Sequence, residues 1–460
     1  MKNTNRWLSW GILVFGFVVV FFHRLSIGSV ADQLTVDLKL DSIQIANLAS
    51  MTFYGYALMQ LPVGIMVDTL GVRRICTIGM FVTAVGSILF GIAGHVYIAY
   101  FARFLVGIGT SVIIVSVMKI QSTLFPPNMY STLSGLTSLF GNFGAFFATI
   151  PLSFIAVNFG WRGTFIILGL ISIALSLGIH FFVKERISIS RFSSEFNGIN
   201  EENLNASSNS ADNNLSSKIK HSEEVTAKNK AAKKVNLETE SERINIKEAV
   251  RFVLTNKAIY PNFLIMVFFV GSLTAVLGLW GNGYMKTVYQ ISNEKAAFYL
   301  SFITYGFIVG APIVGKLSDL LGGVIKNIMV FASAGYVLIW SYVLILQKGK
   351  PPIEQWPIIY FIMGMLIICH ILVFSNVKDN NPLKYTGIAT SLVNIGEFVG
   401  SGIISLLMGL MIKRLKLSGM PLEMVYTTAM ILVLGSAVLS FMAVLFMREG
   451  KAHQQIEASK

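Results

Sequence analysis

The stretch Gly64-Ile-Met-Val-Asp68-Thr-Leu-Gly71-Val-Arg73-Arg74 recurs, altered, as Gly315-Lys-Leu-Ser-Asp319-Leu-Leu-Gly322-Gly323, followed by Lys326. Each copy sits at a polar break between two long apolar runs. Both keep the order glycine, aspartate, glycine, then a basic residue. One half of the chain therefore reads as a diverged copy of the other.

Apolar residues make up 54% of the chain and charged residues 13%. A soluble domain carries about 25% charged residues. The apolar residues fall in runs of roughly 20, enough for a helix to cross a ~30 Å hydrocarbon core. Helices are expected because lipid cannot satisfy a free backbone polar group. Twelve spans are predicted, at about 7–29, 44–66, 75–94, 97–121, 132–156, 162–183, 261–285, 297–317, 327–347, 357–376, 386–411 and 424–446. Trp7 opens a run too long for a signal-peptide core, and no small-residue cleavage site follows it. The fold class expected is all-α integral membrane, two pseudo-symmetric six-helix bundles.

The bundles are placed at 1–186 and 251–460. Between them, 187–250 is rich in Ser, Asn, Lys and Glu, and Asn203 to Ser217 is almost wholly small and polar. Such a segment cannot bury a core and is expected to be a disordered cytoplasmic linker. Lys and Arg are concentrated in it, which puts both termini in the cytoplasm. Outside the linker the bias is thin, because Lys413, Arg414 and Lys416 fall on the outer side. The net charge of +13 thus reflects topology. Neither nucleic-acid binding nor a cofactor is expected. Cys76 and Cys369 fall in or beside spans, with no metal-ligand or CxxC spacing. No nucleophile–base pair, phosphate loop or metal cluster suggests an enzyme.

The repeated pattern, in the same place after spans 2 and 8, resembles the major facilitator superfamily of transporters, whose halves are related by an axis along the membrane normal. Arg103-Phe-Leu-Val-Gly107-Ile-Gly109 in span 4 and Gly135, Gly141 and Gly144 in span 5 are similar to further motifs of that superfamily. The resemblance covers the whole chain apart from the linker. It implies a conformational latch at Gly64, Asp68, Gly71, Arg73 and Arg74, with a weaker counterpart at Gly315, Asp319 and Gly322. Gly64 and Gly71 permit close helix contact and a tight turn. Asp68 can pair with Arg73 or Arg74, or face the N-terminus of a neighbouring helix.

Within the membrane, Asn142-Phe-Gly144 in span 5 matches Asn394-Ile-Gly396 in span 11. Each Asn follows a hydroxyl residue four positions earlier, Ser138 and Thr390, on one helical face. The pair either lines a central cavity or makes helix–helix hydrogen bonds. Ionisable residues inside spans are costly and point to function. Arg24 offers a planar fork of donors for a carboxylate, sulfonate or phosphate. Its alternative is a structural pair with a carbonyl or with Glu397. Arg103 divides evenly between helix packing and substrate. Thr390, Asn394, Glu397 and Ser401 form a polar stripe on an otherwise apolar helix. Glu397 is the candidate coupling carboxyl, with His23 as helper; a permanent salt bridge is its alternative. His370, among apolar neighbours, reads as a packing residue, and Lys119 as a snorkelling one. Trp280, Asn282 and Tyr284 near the outer end of span 7, and Tyr54 in span 2, are further candidate cavity residues.

Phe21-Phe22-His23-Arg24-Leu-Ser-Ile resembles the first span of the anion:cation symporter branch. That branch has an Asp before this Arg and a second acid on span 4. His23 and Thr110 occupy those places here. Tyr56-Ala-Leu-Met-Gln60-Leu-Pro62 and Gly278-Leu-Trp280-Gly-Asn282-Gly-Tyr284 look more like other bacterial facilitators. The expectation is a monomeric proton symporter for a small anionic organic solute in a bacterial inner membrane, powered by the proton gradient. The rivals are a proton-driven exporter of drugs or a siderophore, and a membrane sensor that binds without transporting.

Overall fold

The computed structural model describes residues 3–125, 129–148, 150–183, 246–320, 324–382 and 385–449. All regular structure there is helical. The first half contains α1 (Asn3–Asp37), α2 (Ser42–Leu70), α3 (Val72–Gly91), α4 (Val96–Leu124) and α5 (Tyr130–Phe147). A further helical stretch, Ile150–Phe182, is divided at Gly160, where φ is 69° and ψ 159°. Only glycine takes that conformation cheaply. The part before Gly160 prolongs α5 and the part after it is α6. The second half contains α7 (Ile259–Tyr289), α8 (Asn293–Leu320), α9 (Ile325–Leu346), α10 (Ile353–Asp379), α11 (Thr386–Leu417) and α12 (Leu422–Leu445). Ten helices among the described residues are long and apolar enough to cross a membrane. Within their half, the other two, α2 and α5, pack on α4 and α1 respectively.

The halves form one compact unit, Met1–Lys184 with Val253–Lys460; Glu185–Phe252 is a second. The expectation of disorder for 187–250 falls on residues outside those described, apart from the start of a short helix, Ile246–Thr255. With six helices in each half, the start of α1 and the end of α12 lie on one side, here called the terminal side. The opposite side is the far side.

The sequence match between spans 5 and 11 has a packing cause. A Cβ on Gly144 would strike the Val18 carbonyl oxygen of α1, and one on Gly396 would lie 2.7 Å from the Phe263 carbonyl oxygen of α7. The same Asn-x-Gly element brings α5 onto α1 and α11 onto α7. Small residues at such points let helix backbones approach.

Between halves, α11 runs along α2 and α1 along α7. Ser50 Oγ donates to the Gly402 carbonyl at 3.2 Å, and the Asn293 amide donates to the Ser29 carbonyl at 2.9 Å. Two ion pairs lie towards the far side, Lys286 with Asp32 and Lys413 Nζ with Asp41 Oδ2 at 2.9 Å. They flank a far-side vestibule of about 610 Å³.

Asp41 also caps α2. Its Oδ1 accepts the N–H groups of Ile43 and Gln44 at 2.9 and 2.8 Å, and Gln44 Oε1 accepts the Asp41 N–H. Slight desolvation pushes the Asp41 carboxyl pKa up, but the Gln44 N–H, Lys413 and the Ile43 N–H together hold it below the ordinary carboxylate value. A depressed pKa adds stability that is present above the unfolded-state value and lost as pH falls through the folded one. The pair with Lys413 is about two-fifths exposed and contributes under about 1 kcal/mol. Asp41→Asn keeps a capping oxygen and removes the charge. It is expected to destabilise the protein by no more than about 1 kcal/mol at neutral pH. Its gap from wild type should close in acid, as read by thermal unfolding over a pH series.

Candidate functional site

The repeated loop pattern is only partly described. Gly71, with φ 82° and ψ 157°, turns the chain from α2 into α3, as a tight turn there requires. A Cβ on Gly64 or Gly315 would meet nothing within 4 Å, so neither is a close helix contact in this structure. Arg73 and Arg74 are exposed at the start of α3. The side chains of Asp68 and Asp319, and Gly322 entirely, lie outside the described residues, and the latch expected of them lies outside with them. Lys119 Nζ donates to the Val67 carbonyl at 3.0 Å, which ties α4 to the terminal end of α2. Lys326 Nζ donates to the Leu445 carbonyl, and its N–H to Glu449, which ties α9 to the end of α12.

The intramembrane charges divide into two groups. Arg103 is fully buried inside the first half. Its Nη2 donates to the His23 carbonyl at 2.7 Å, and its guanidinium lies 5.6 and 5.9 Å from the Phe90 and Phe165 ring centres. His23 is also fully buried, with neither ring nitrogen hydrogen-bonded. These two side chains tie α1 to α3, α4 and α6. Neither is on the cavity wall described next. Consecutive residues on a helix point about 100° apart. Arg24 thus faces the interface between halves while His23 faces the interior of its own.

Arg24 Nη2 donates to Glu397 Oε1, joining α1 to α11 across the two halves. The side chains are 14% and 12% exposed, so water reaches them only slightly. The guanidinium lies 4.7 Å from the Phe398 ring centre, with Phe21 and Phe53 also within 6 Å, a favourable cation–π setting. Tyr56 stacks on the other part of this cluster, 4.2 Å from Phe398. Arg24 Nε is buried and makes no hydrogen bond.

A cavity of about 190 Å³ adjoins the pair. Arg24, Glu397, Asn142, Thr274 and His370 supply its polar wall, and Phe17, Phe21, Leu277 and Phe307 are among its apolar lining. Two π-helical stretches, Met266–Val270 and Val276–Trp280, interrupt α7 at this level. A 3-10 turn at Ile368–His370 interrupts α10. Such irregular turns recur at functional sites because they redirect side chains out of the regular helical register. Among groups of His, Cys, Asp and Glu in the described residues, none could hold a metal ion. Cys76 and Cys369 are both buried, and neither forms a disulfide.

The other candidates are dispersed. Trp280 Nε1 donates to the Ser405 carbonyl at 3.0 Å, tying α7 to α11. Trp280 and Asn282 line the far-side vestibule and not the central cavity. Tyr284 donates to the Gly349 carbonyl and is packed among aromatics at the far end of the second half. Tyr54 packs its ring against Gly402 where α2 meets α11. Asn394 is half-buried one turn before Glu397 but is not on the cavity wall. Sequence reading missed Phe21, Phe53, Tyr56 and Phe398 around Arg24. It also missed the cavity position of His370.

A family model described as Major Facilitator Superfamily matches residues 13–405. The chain belongs to that superfamily. It is therefore a multi-pass membrane protein of a superfamily of secondary transporters, not of enzymes. Across the whole length it is similar in fold to a bacterial homologue of the human lysosomal transporter Spinster, solved inward-facing and unoccupied. That match has a TM-score of 0.68 and 14% identity, and covers 98% of this chain and 100% of the other. A probable sulfoacetate transporter of Cupriavidus necator is 26% identical over 39% of this chain and 42% of its own length. A hexuronate transporter of Bacillus subtilis is 24% identical over 37% of this chain and 40% of its own. The chain thus matches about two-fifths of the length of these curated relatives.

Proposed function

We propose that this transporter moves a small organic anion together with a proton, by alternating access across a bacterial inner membrane. Both termini and the 187–250 connection lie in the cytoplasm in this reading, so the far side is the outer one. The arrangement described, with ion pairs and hydrogen bonds between halves towards the far side, is its inward-facing state.

The observation that carries the reading is the Arg24–Glu397 pair at a small cavity between the halves. An ionised Glu397 neutralises Arg24 and occupies part of its donor set. A proton on Glu397 removes that countercharge. Arg24 then presents its guanidinium, including the unpartnered Nε–H, to the acid group of a solute. On the cytoplasmic side the proton and the solute leave, and the pair re-forms to discharge the site. Proton and anion are thereby coupled through one guanidinium. The cavity supports a small solute over a drug, since it falls below the roughly 300–1,000 Å³ of drug-sized sites. The acids named for the two bacterial relatives, sulfoacetate and hexuronate, agree with an anionic solute.

Glu397→Gln tests the coupling role. Its amide cannot release a proton, yet it can still accept from Arg24. In proteoliposomes the variant is expected to exchange an accepted acid across the bilayer at a rate near wild type. It should lose the ability to concentrate that acid under an inward proton gradient. Accumulation at wild-type level would remove Glu397 from the coupling step.

A further inference from the structure

The central cavity contains a polar group with no role in the exchange between Arg24 and Glu397. His370 stands on its wall at the 3-10 turn of α10. Its Nδ1 lies 2.8 Å from the Ile367 carbonyl oxygen. A carbonyl only accepts, so Nδ1 carries the proton. The neutral ring then holds Nε2 as a bare acceptor, the tautomer being fixed by the other nitrogen's bond. The Nδ1 contact is the ring's hydrogen bond among the described residues. Near it on the wall are Ile368 and Ile371, which have no side-chain donor to offer.

An acceptor left unpaired when a ligand expels water costs binding energy, and a ligand donor recovers it. A carboxylate or sulfonate supplies acceptors alone, and Arg24 takes these. A hydroxyl supplies the missing donor. Thr274 and Asn142 on the same wall add groups able to bond further hydroxyls. We infer that His370 is a specificity-determining residue: its Nε2 accepts a hydrogen bond from a hydroxyl on the transported acid, so that hydroxylated acids are preferred to plain ones. This rests on the anion reading proposed above and adds to it a second point of contact on the other half of the protein.

Calorimetric titration of the full-length purified protein tests this with six-carbon acids of equal charge. The probes are D-gluconate, D-galactonate and D-mannonate, set against hexanoate. At least one aldonate is expected to bind roughly tenfold or more tighter than hexanoate, the scale of one net hydrogen bond. His370→Phe should bring that ratio close to one, by weakening aldonate binding and by relieving hexanoate of the unpaired acceptor, so that hexanoate affinity does not fall. His370→Gln, with an acceptor oxygen, should recover part of the preference. His370→Leu serves in place of Phe if the larger ring prevents folding. An equal loss for all four acids, in a variant that unfolds at the wild-type temperature, would assign His370 to structure and overturn the inference. So would hexanoate binding at least as tightly as every aldonate. In that case the anion site still stands, provided hexanoate binding disappears in the double variant Arg24→Ala/Glu397→Gln, which leaves no stranded carboxylate. Binding of none of the four acids overturns the anion reading and this inference together.

Discussion

Arg24→Ala is expected to lower the affinity for any accepted acid by at least about a hundredfold, the scale of a charge-assisted bidentate contact in a poorly hydrated site. The single variant confounds two effects. Removing the guanidinium strands the Glu397 carboxylate in a setting only 12% exposed. Breaking a buried pair from one side typically costs about 3–5 kcal/mol. Poor yield or lost transport in Arg24→Ala alone would therefore say little about the ligand.

The double variant Arg24→Ala/Glu397→Gln separates the two. It carries no net charge at the site and leaves no stranded carboxylate. It should fold with stability near wild type, since neutral replacement of a buried pair is often tolerated. Acid binding should remain absent. If the double variant binds the acid as wild type does, the Arg24–Glu397 contact is a permanent strut and the anion site lies elsewhere. Arg24→Lys is informative beside it. An ammonium keeps the charge but not the planar fork, so binding should weaken by about tenfold or more rather than vanish.

Much of the architecture was open to sequence reading because lipid leaves few choices. A run of about 20 apolar residues must be a helix, and a repeat in the same place in both halves sets the sixfold order. Arg24 and Glu397 stood out because a charge in a span is expensive. Their pairing was one of two readings left open. What sequence could not supply is direction. Helix α1 is apolar nearly all round, so no stripe marks the face that meets the other half. Nothing in Phe22-His23-Arg24 therefore says that the histidine turns inward and the arginine towards the cavity. The same ambiguity affected Arg103, whose position between Phe90 and Phe165 depends on residues from two other helices. His370 has apolar sequence neighbours, which mark a packing residue. The local 3-10 turn that accompanies its place on the wall leaves no sequence signature. The aromatic cluster at Arg24 draws on α1, α2 and α11, and distant partners of that kind are invisible along one chain.

Gly409→Leu is expected to abolish transport without removing the solute site. A Cβ at Gly409 would sit 2.5 Å from the Ser42 carbonyl oxygen and 2.9 Å from Ala46 Cβ. The obstruction is backbone, on a capped helix end, and cannot swing aside as a long side chain would. The rest of a leucine side chain must then separate α11 from α2 near the Lys413–Asp41 pair. Gly409 lies between halves, so neither bundle is disturbed internally. The far-side closure is what the substitution opposes. If the arrangement described is inward-facing, the variant should accumulate in a state open to the outside. A cysteine introduced for Ala31 in the vestibule, on a background with Cys76 and Cys369 replaced, reports this with an impermeant maleimide added from outside. Its labelling rate should rise by about tenfold or more in Gly409→Leu while net uptake falls below a tenth of wild type, the equilibrium shift corresponding to about 1.4 kcal/mol. Lys413→Ala removes only a partly exposed ion pair at the same place and should change both readouts less than threefold. Wild-type transport by Gly409→Leu would mean that α2 and α11 need not close at this point. The far-side contacts would then be incidental to the cycle.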